Sequence, residues 1–179
     1  MKCNICNYKT NKFNSDNWHL YNICPNCGLD IRHRLLVASL QLLDDFHYDK
    51  IIKNKKILHF SPERNIVDLF KNIAKEYETT NFPTIDMSNM YSIENESFDC
   101  VIACDVLEHV ENDIEAIKEV YRILSYGGYC IFTVPQKDNL KITFEDKSII
   151  DPIERELNFS QCDHLRMYGD DFIDILKYK

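Results

Sequence analysis

The sequence predicts an α/β protein, a doubly wound and mostly parallel sheet of about five strands behind a small N-terminal metal ribbon. Three observations predict it. Phe98–Cys104 is a nearly unbroken apolar run of strand length, as in a sheet covered on both faces. Ile114, Ile117, Tyr121 and Leu124 then recur at helical spacing up to Gly127-Gly128, and Tyr129–Val134 forms a second apolar run closed by Pro135. Strand, helix and strand in that order make a right-handed βαβ unit. Finally, Cys3-x2-Cys6 and Cys24-x2-Cys27 stand 17 residues apart, the spacing of a four-thiolate zinc site.

The ribbon is predicted over residues 1–34. Two thiolates of one knuckle clasp one side of a tetrahedral ion and the second pair closes the other. Gly28 frees the backbone where it turns toward the metal, and Pro25 helps to fix that turn. So short a segment builds no core of its own, so metal binding supplies its folding free energy. A redox CxxC would start a helix after a strand, a context neither pair has. Four thiolates leave no open position, so the zinc is structural; His19 and His33 are spare imidazoles nearby. Cys100, Cys104, Cys130 and Cys162 read as small core residues.

The second domain is predicted over residues 35–179. Leu35, Leu36, Ala38, Leu40, Leu42 and Leu43 mark a helix from Arg34 to Phe46. Lys56–Phe60 reads as a buried strand. Ser61 and Pro62 follow as N-cap and first residue of a helix reaching about Tyr77. Weaker strands are expected at Tyr77–Asn81 and Thr84–Met87. Asn112-x-x-Glu115 resembles a capping box, and Asp170–Lys177 a last helix.

Composition narrows the function. The formal net charge of −8 lacks the basic excess with which nucleic-acid binders displace counterions. No run approaches the ~20 apolar residues that span a membrane, and Met1-Lys2-Cys3-Asn4 is no signal peptide, which points to the cytoplasm.

The segment FDCVIACDVLEHVENDIEAIKEVYRILSYGGYCIFTVP, Phe98–Pro135, resembles the fourth-to-fifth-strand region of class I S-adenosylmethionine-dependent methyltransferases of the type 11 group. ILHFSPE at Ile57–Glu63 and DHLRMYGDDF at Asp163–Phe172 resemble a bacterial subgroup with a CxxC…CPxCG head. The resemblance implies a Rossmann-like fold with S-adenosylmethionine held by His59, Phe60, Ser61, Glu63, Asn81, Asp86, Met87, Cys104, Asp105 and Leu107. The family's glycine-rich first turn is absent, and Asn81 stands where an acid usually holds the ribose. Asp86 resembles the acid that meets the adenine amino group. No residues remain for the two further strands usual in the family: either the sequence is a fragment, or the sheet stops at about five strands with an exposed edge expected to pair with a second copy or a partner protein.

His109, beside Asp105 and Glu108 at the end of the fourth family strand, is the candidate base, with His164 second. Glu154, Arg155, Arg166 and Tyr168 are candidate acceptor contacts, the arginines as clasps for a phosphate or carboxylate. The leading reading is methyl transfer to a small molecule, such as a sugar or polysaccharide precursor. A catalytically silent scaffold of the same fold and an RNA methyltransferase are the alternatives.

Overall fold

The structure, a computed structural model, describes residues 1–15 and 22–177; His19 lies outside them. The chain forms two compact units: Met1–Ile57 with Pro62–Tyr77, and Leu58–Ser61 with Glu78–Lys179. In the first unit a set of bonds ties the cysteine head to the helices that follow it. Asn4 Nδ2 donates to the Arg34 carbonyl (2.9 Å), and Asn65 Nδ2 to that of Cys27 (3.1 Å).

In the first unit the two knuckles share one backbone pattern. Asn7 N–H donates to Cys3 O and Cys3 N–H to Tyr8 O; Gly28 N–H donates to Cys24 O and Cys24 N–H to Leu29 O. Asn7 (φ 60°) and Gly28 (φ 74°) take the same left-handed position, Asn being among the residues that tolerate it. Helix α1, Ile31–Leu42, is capped by Asp30, whose carboxylate accepts from Arg32 N–H. It starts earlier than the apolar period suggested, and Asp44–Phe46 is a separate 3-10 turn before α2, Tyr48–Ile51. His33 is clamped between Asp30 (3.0 Å) and Glu63 (2.6 Å). Burial would discharge this imidazole, but the two carboxylates prevail and push its pKa up to about 9.

Strand β1, Lys56–Phe60, is as the sequence predicts, but the helix after it is not. Helix α3 spans only Arg64–Phe70, with Glu63 at the cap position. Ser61 is no N-cap: its N–H donates to Thr80 O (2.8 Å) and its backbone turns left-handed (φ 47°). The chain leaves the helix at Phe70 because Lys75 and Glu76 N–H both return to Lys55 O, leading into β2, Glu76–Thr80.

The second unit contains β3, Phe98–Cys104; a 3-10 turn, Leu107–His109; α4, Asp113–Ile123; and β4, Leu124–Thr133. The short elements β5 (Phe144–Glu145), α5 (Pro152–Phe159), β6 (Arg166–Met167) and α6 (Phe172–Leu176) follow. Asn112 Oδ1 caps α4 through Glu115 N–H (3.1 Å), while the Glu115 carboxylate turns to Lys118, so the box is half formed. The four-stranded parallel sheet has the order β2-β1-β3-β4. The β3–β4 register jumps from Phe98↔Leu124 to Cys100↔Tyr129, and Gly127 and Gly128 occupy the irregularity. A Cβ on Gly128 would lie 2.8 Å from Ser125 O and 3.1 Å from Asp99 O, so only glycine fits.

Thr84–Met87 is not a strand. Thr84 and Ile85 N–H both donate to Asn81 O, curling the segment into turns. The core of this unit gathers Leu58, Phe60, Val101, Ala103, Leu107, Ala116, Val120 and Ile123. Strand β4 is an edge strand with no buried residue, so Cys130 is exposed, as is Cys162 in the turn after α5, whereas Cys100 and Cys104 are core. Among the described residues, no helix is long and apolar enough to cross a membrane.

Candidate functional site

The strand order reverses direction between β1 and β3: the chain winds outward to β2 on one side and to β4 on the other. In open α/β sheets, ligands bind at such a reversal, just outside the carboxyl ends of the strands. A crevice of about 730 Å³ opens there, within the range that holds small ligands and cofactors. One end is formed by Phe60 and Ser61 after β1, by Asn81, Phe82, Ile85, Asp86 and Met87 after β2, and by Asp105 and Val106 after β3. The other end is formed by His109, Val110, Glu111, Arg155, Asp163 and Leu165.

Two non-glycine residues with left-handed backbone, Ser61 (φ 47°) and Asp105 (φ 52°), flank the crevice at the ends of β1 and β3. Such conformations cost of the order of 1 kcal/mol each and persist where the surroundings impose them. Here the imposing bonds are Ser61 N–H to Thr80 O and Asp105 N–H to Thr133 O (2.9 Å), helped by Thr133 Oγ1 donating to Asp105 Oδ1 (3.2 Å). The first turn thus bends sharply without glycine. Asp86 Oδ1 accepts from Ser88 N–H and Oγ (2.8 and 2.7 Å), which fixes the carboxylate against the crevice wall.

The far end is organised by Arg166. Its side chain is 1 % exposed and donates to the carbonyls of Leu107 (2.8 Å), Val110 (2.5 Å) and Glu111 (3.2 Å) and to Glu145 Oε1 (3.2 Å). Leu165 N–H donates to Glu108 O (2.8 Å), and Tyr168 Oη to Asp113 Oδ2 (2.8 Å). These bonds join two segments distant in sequence and bring His164 to His109, ring centroids 4.7 Å apart and edge to face. His109 Nδ1 lies 3.4 Å from Asp163 Oδ2, and His164 Nε2 lies 3.9 Å from Glu108 Oε1. Burial lowers the pKa of His164, favouring the neutral imidazole.

Of the residues singled out in the sequence, Phe60, Ser61, Asn81, Asp86, Met87, Asp105, His109 and Arg155 line the crevice together. His59, Cys104 and Leu107 are buried beside it. Glu63 faces His33 in the first unit. Arg166 and Tyr168 are interior, their polar groups spent on the loop after β3 rather than offered to an acceptor, and Glu154 is exposed outside the lining. His164 stands behind His109. Sequence reasoning missed Phe82, Ile85, Val106, Val110, Glu111, Asp163 and Leu165. Val106, Val110 and Glu111 lie within the quoted segment Phe98–Pro135, and Asp163 and Leu165 within the quoted distal segment, whereas Phe82 and Ile85 carried no signal.

In the first unit the four sulfurs of Cys3, Cys6, Cys24 and Cys27 lie within 4.8 Å of one another. Cys3–Cys27 and Cys6–Cys24 are 3.9 and 3.7 Å apart. A tetrahedral ion with metal–sulfur bonds of about 2.3 Å needs edges of about 3.8 Å, so the donor set fits zinc. Burial, helped by neighbouring thiols, pushes the Cys27 thiol up to about 12. At Cys6 burial acts upward but is overcome by hydrogen bonds from Asn26 and Tyr8, and the thiol comes down to about 6.

Residues 38–132, more than half of the chain, match the family described as a methyltransferase domain. The chain belongs to this methyltransferase family. No curated protein matches it. Among solved structures it is similar to a candidate methyltransferase of Bacillus halodurans (TM-score 0.52, 18% identity, 71% of this chain and 59% of that one). It is similar also to a candidate sarcosine dimethylglycine methyltransferase of Galdieria sulphuraria (0.53, 18%, 87% and 65%). A third likeness is to a SAM-dependent methyltransferase of Archaeoglobus fulgidus (0.53, 12%, 83% and 67%). At these identities the likeness concerns the fold, and the methyltransferase chain described here spans less than two thirds of the length of the first two.

Proposed function

We propose that the protein transfers a methyl group from S-adenosylmethionine to a small, uncharged or cationic acceptor. The observation that carries this is the two-ended crevice at the strand reversal. Its first end suits the cofactor. Phe82, Ile85 and Met87 offer apolar surface for adenine, Asp86 and Asn81 offer acceptors for amino and hydroxyl groups, and the turn at Ser61 is bent as the first turn of such a site requires. Its second end, with His109 and Arg155, meets the acceptor.

When bound, the cofactor supplies an activated methyl on a sulfonium. The chain's contribution is to align the acceptor in line with the departing sulfur and to exclude water. Asp86, Asp105, Glu111 and Asp163 line the crevice against a single guanidinium, Arg155. That field repels polyphosphates and supports a neutral acceptor such as a sugar over RNA. We assign the cysteine head to one structural zinc, supported by the tetrahedral spacing of its sulfurs.

Calorimetric titration with S-adenosylmethionine and S-adenosylhomocysteine tests the reading. Saturable binding is expected; no heat at about 1 mM ligand sinks it. Metal analysis of the purified chain should return one zinc per protein, and a zinc-free chain with a folded head would refute that assignment.

A further inference from the structure

We propose that Glu108, His109 and His164 form a second metal site, for one divalent cation, at the acceptor end of the crevice. Their ligand-capable atoms lie within 4.8 Å of one another, and Glu108 and His164 are buried. Cis ligands of an ion bound at about 2.1 Å stand about 3 Å apart and trans ligands about 4.2 Å. The 3.9 Å between Glu108 Oε1 and His164 Nε2 falls between these, within reach of a small side-chain rotation.

The hydrogen bonding of His164 supports a cation. His164 Nδ1 lies 2.8 Å from the carbonyl of Phe159, which can only accept, so Nδ1 carries the hydrogen. With Nδ1 engaged there, Nε2 is the ring atom that faces the Glu108 carboxylate, 3.9 Å from Oε1. A cation between Glu108 Oε1 and His164 Nε2 would be held by both. His109 has the outer partner that orients ligating imidazoles, Asp163 Oδ2 at 3.4 Å. Two imidazoles and a carboxylate, with water at the open positions, suit a harder divalent ion such as Mn²⁺ than the soft thiolate set of the head does.

Three protein ligands leave positions open toward the crevice. The site's role rests on the methyl-transfer reading and specifies its acceptor as a hydroxyl compound. An acceptor oxygen held at the open position loses its proton more readily, the proton passing to solvent. One C–O bond forms as one C–S bond breaks, with the electron pair staying on sulfur. His109 is then a ligand and not a base.

The experiment is Mn²⁺ uptake by the full chain, followed through the loss of the free-ion electron paramagnetic resonance signal, beside cofactor calorimetry on the same preparation. One Mn²⁺ per chain is expected, bound at least about tenfold more weakly by Glu108→Gln and by the surface variant His109→Ala. His109→Ala keeps the interior intact, so it decides the matter if Glu108→Gln misfolds. No uptake below about 1 mM, or equal uptake by His109→Ala, overturns the site. Cofactor binding without Mn²⁺ uptake refutes the site and leaves the function standing; Mn²⁺ uptake without cofactor binding does the reverse.

Discussion

The cysteine head and the crevice are organised on opposite plans. The head repeats one local design twice: each knuckle closes on itself through bonds from residue i+4 and to residue i+5, and the four sulfurs meet across the repeat. The crevice has no local design. Its walls come from segments around residues 60, 81–87, 105–111 and 155–165, held by an arginine and a few backbone bonds. In the proposed reading the head, built from local motifs, depends on its zinc for cohesion, whereas the crevice, built from distant segments, depends on the core behind it.

Removing the metal should break the comparison most visibly. Chelation, or Cys24→Ser, is expected to unfold the head outright, since structural zinc supplies of the order of 10 kcal/mol. Because Cys27 O holds Asn65 and His33 holds Glu63, the start of α3 should loosen with it. Hydrogen exchange resolved along the chain measures this; protection retained in residues 1–30 would show that the head does not need its ion.

Arg166→Met should be the most damaging single change in the second unit. It strips the carbonyls of Leu107, Val110 and Glu111 of their donor and takes the buried guanidinium away from Asp113 and Glu145, a cost of about 3–5 kcal/mol. Thermal melting reads it, and an unchanged Tm would mean the loop after β3 holds its own shape.

The His33 clamp gives a pH dependence. Its folded pKa, about 9, lies above the ordinary 6.5, so its stabilisation is complete below about pH 6.5 and is lost as pH rises toward 9. The loss should amount to about 1–3 kcal/mol. Urea unfolding at pH 6 and pH 9, with His33→Gln flattening the difference, measures it. A slope that survives His33→Gln assigns the effect elsewhere.

A smaller change is expected from Asp86→Ala, which removes a crevice acceptor whose carboxylate is held by Ser88. Cofactor affinity should fall about tenfold with little change in Tm, as for the loss of one charge-assisted hydrogen bond. Ser61→Gly should have the least effect: it relieves a left-handed residue and should raise stability by no more than about 1 kcal/mol.

What the sequence disclosed follows the same contrast. Strands β1 and β3 were legible because burial on both faces writes a continuous apolar run, and the thiolates because their spacing is short and fixed. The end of α3 was not, because Lys75 and Glu76 are drawn to Lys55 O, a contact set by sheet pairing and invisible to a helical period. Arg166 and Tyr168 looked like acceptor contacts because polar residues near a site resemble ligands until their partners are seen. His109, Asp86 and Asp105 were legible through family resemblance, whereas Val110, Glu111 and Leu165 depend on where the distal segment folds back.

Arg166 grips the loop after β3 almost wholly through main-chain oxygens. Every residue carries such an oxygen, so the loop's path does not depend on which side chains occupy positions 110 and 111. Val110 and Glu111 both face the crevice, and they can be exchanged while the scaffold beneath them stays put. The protein therefore carries a ready point of divergence, at which acceptor preference can drift between relatives without the fold being renegotiated.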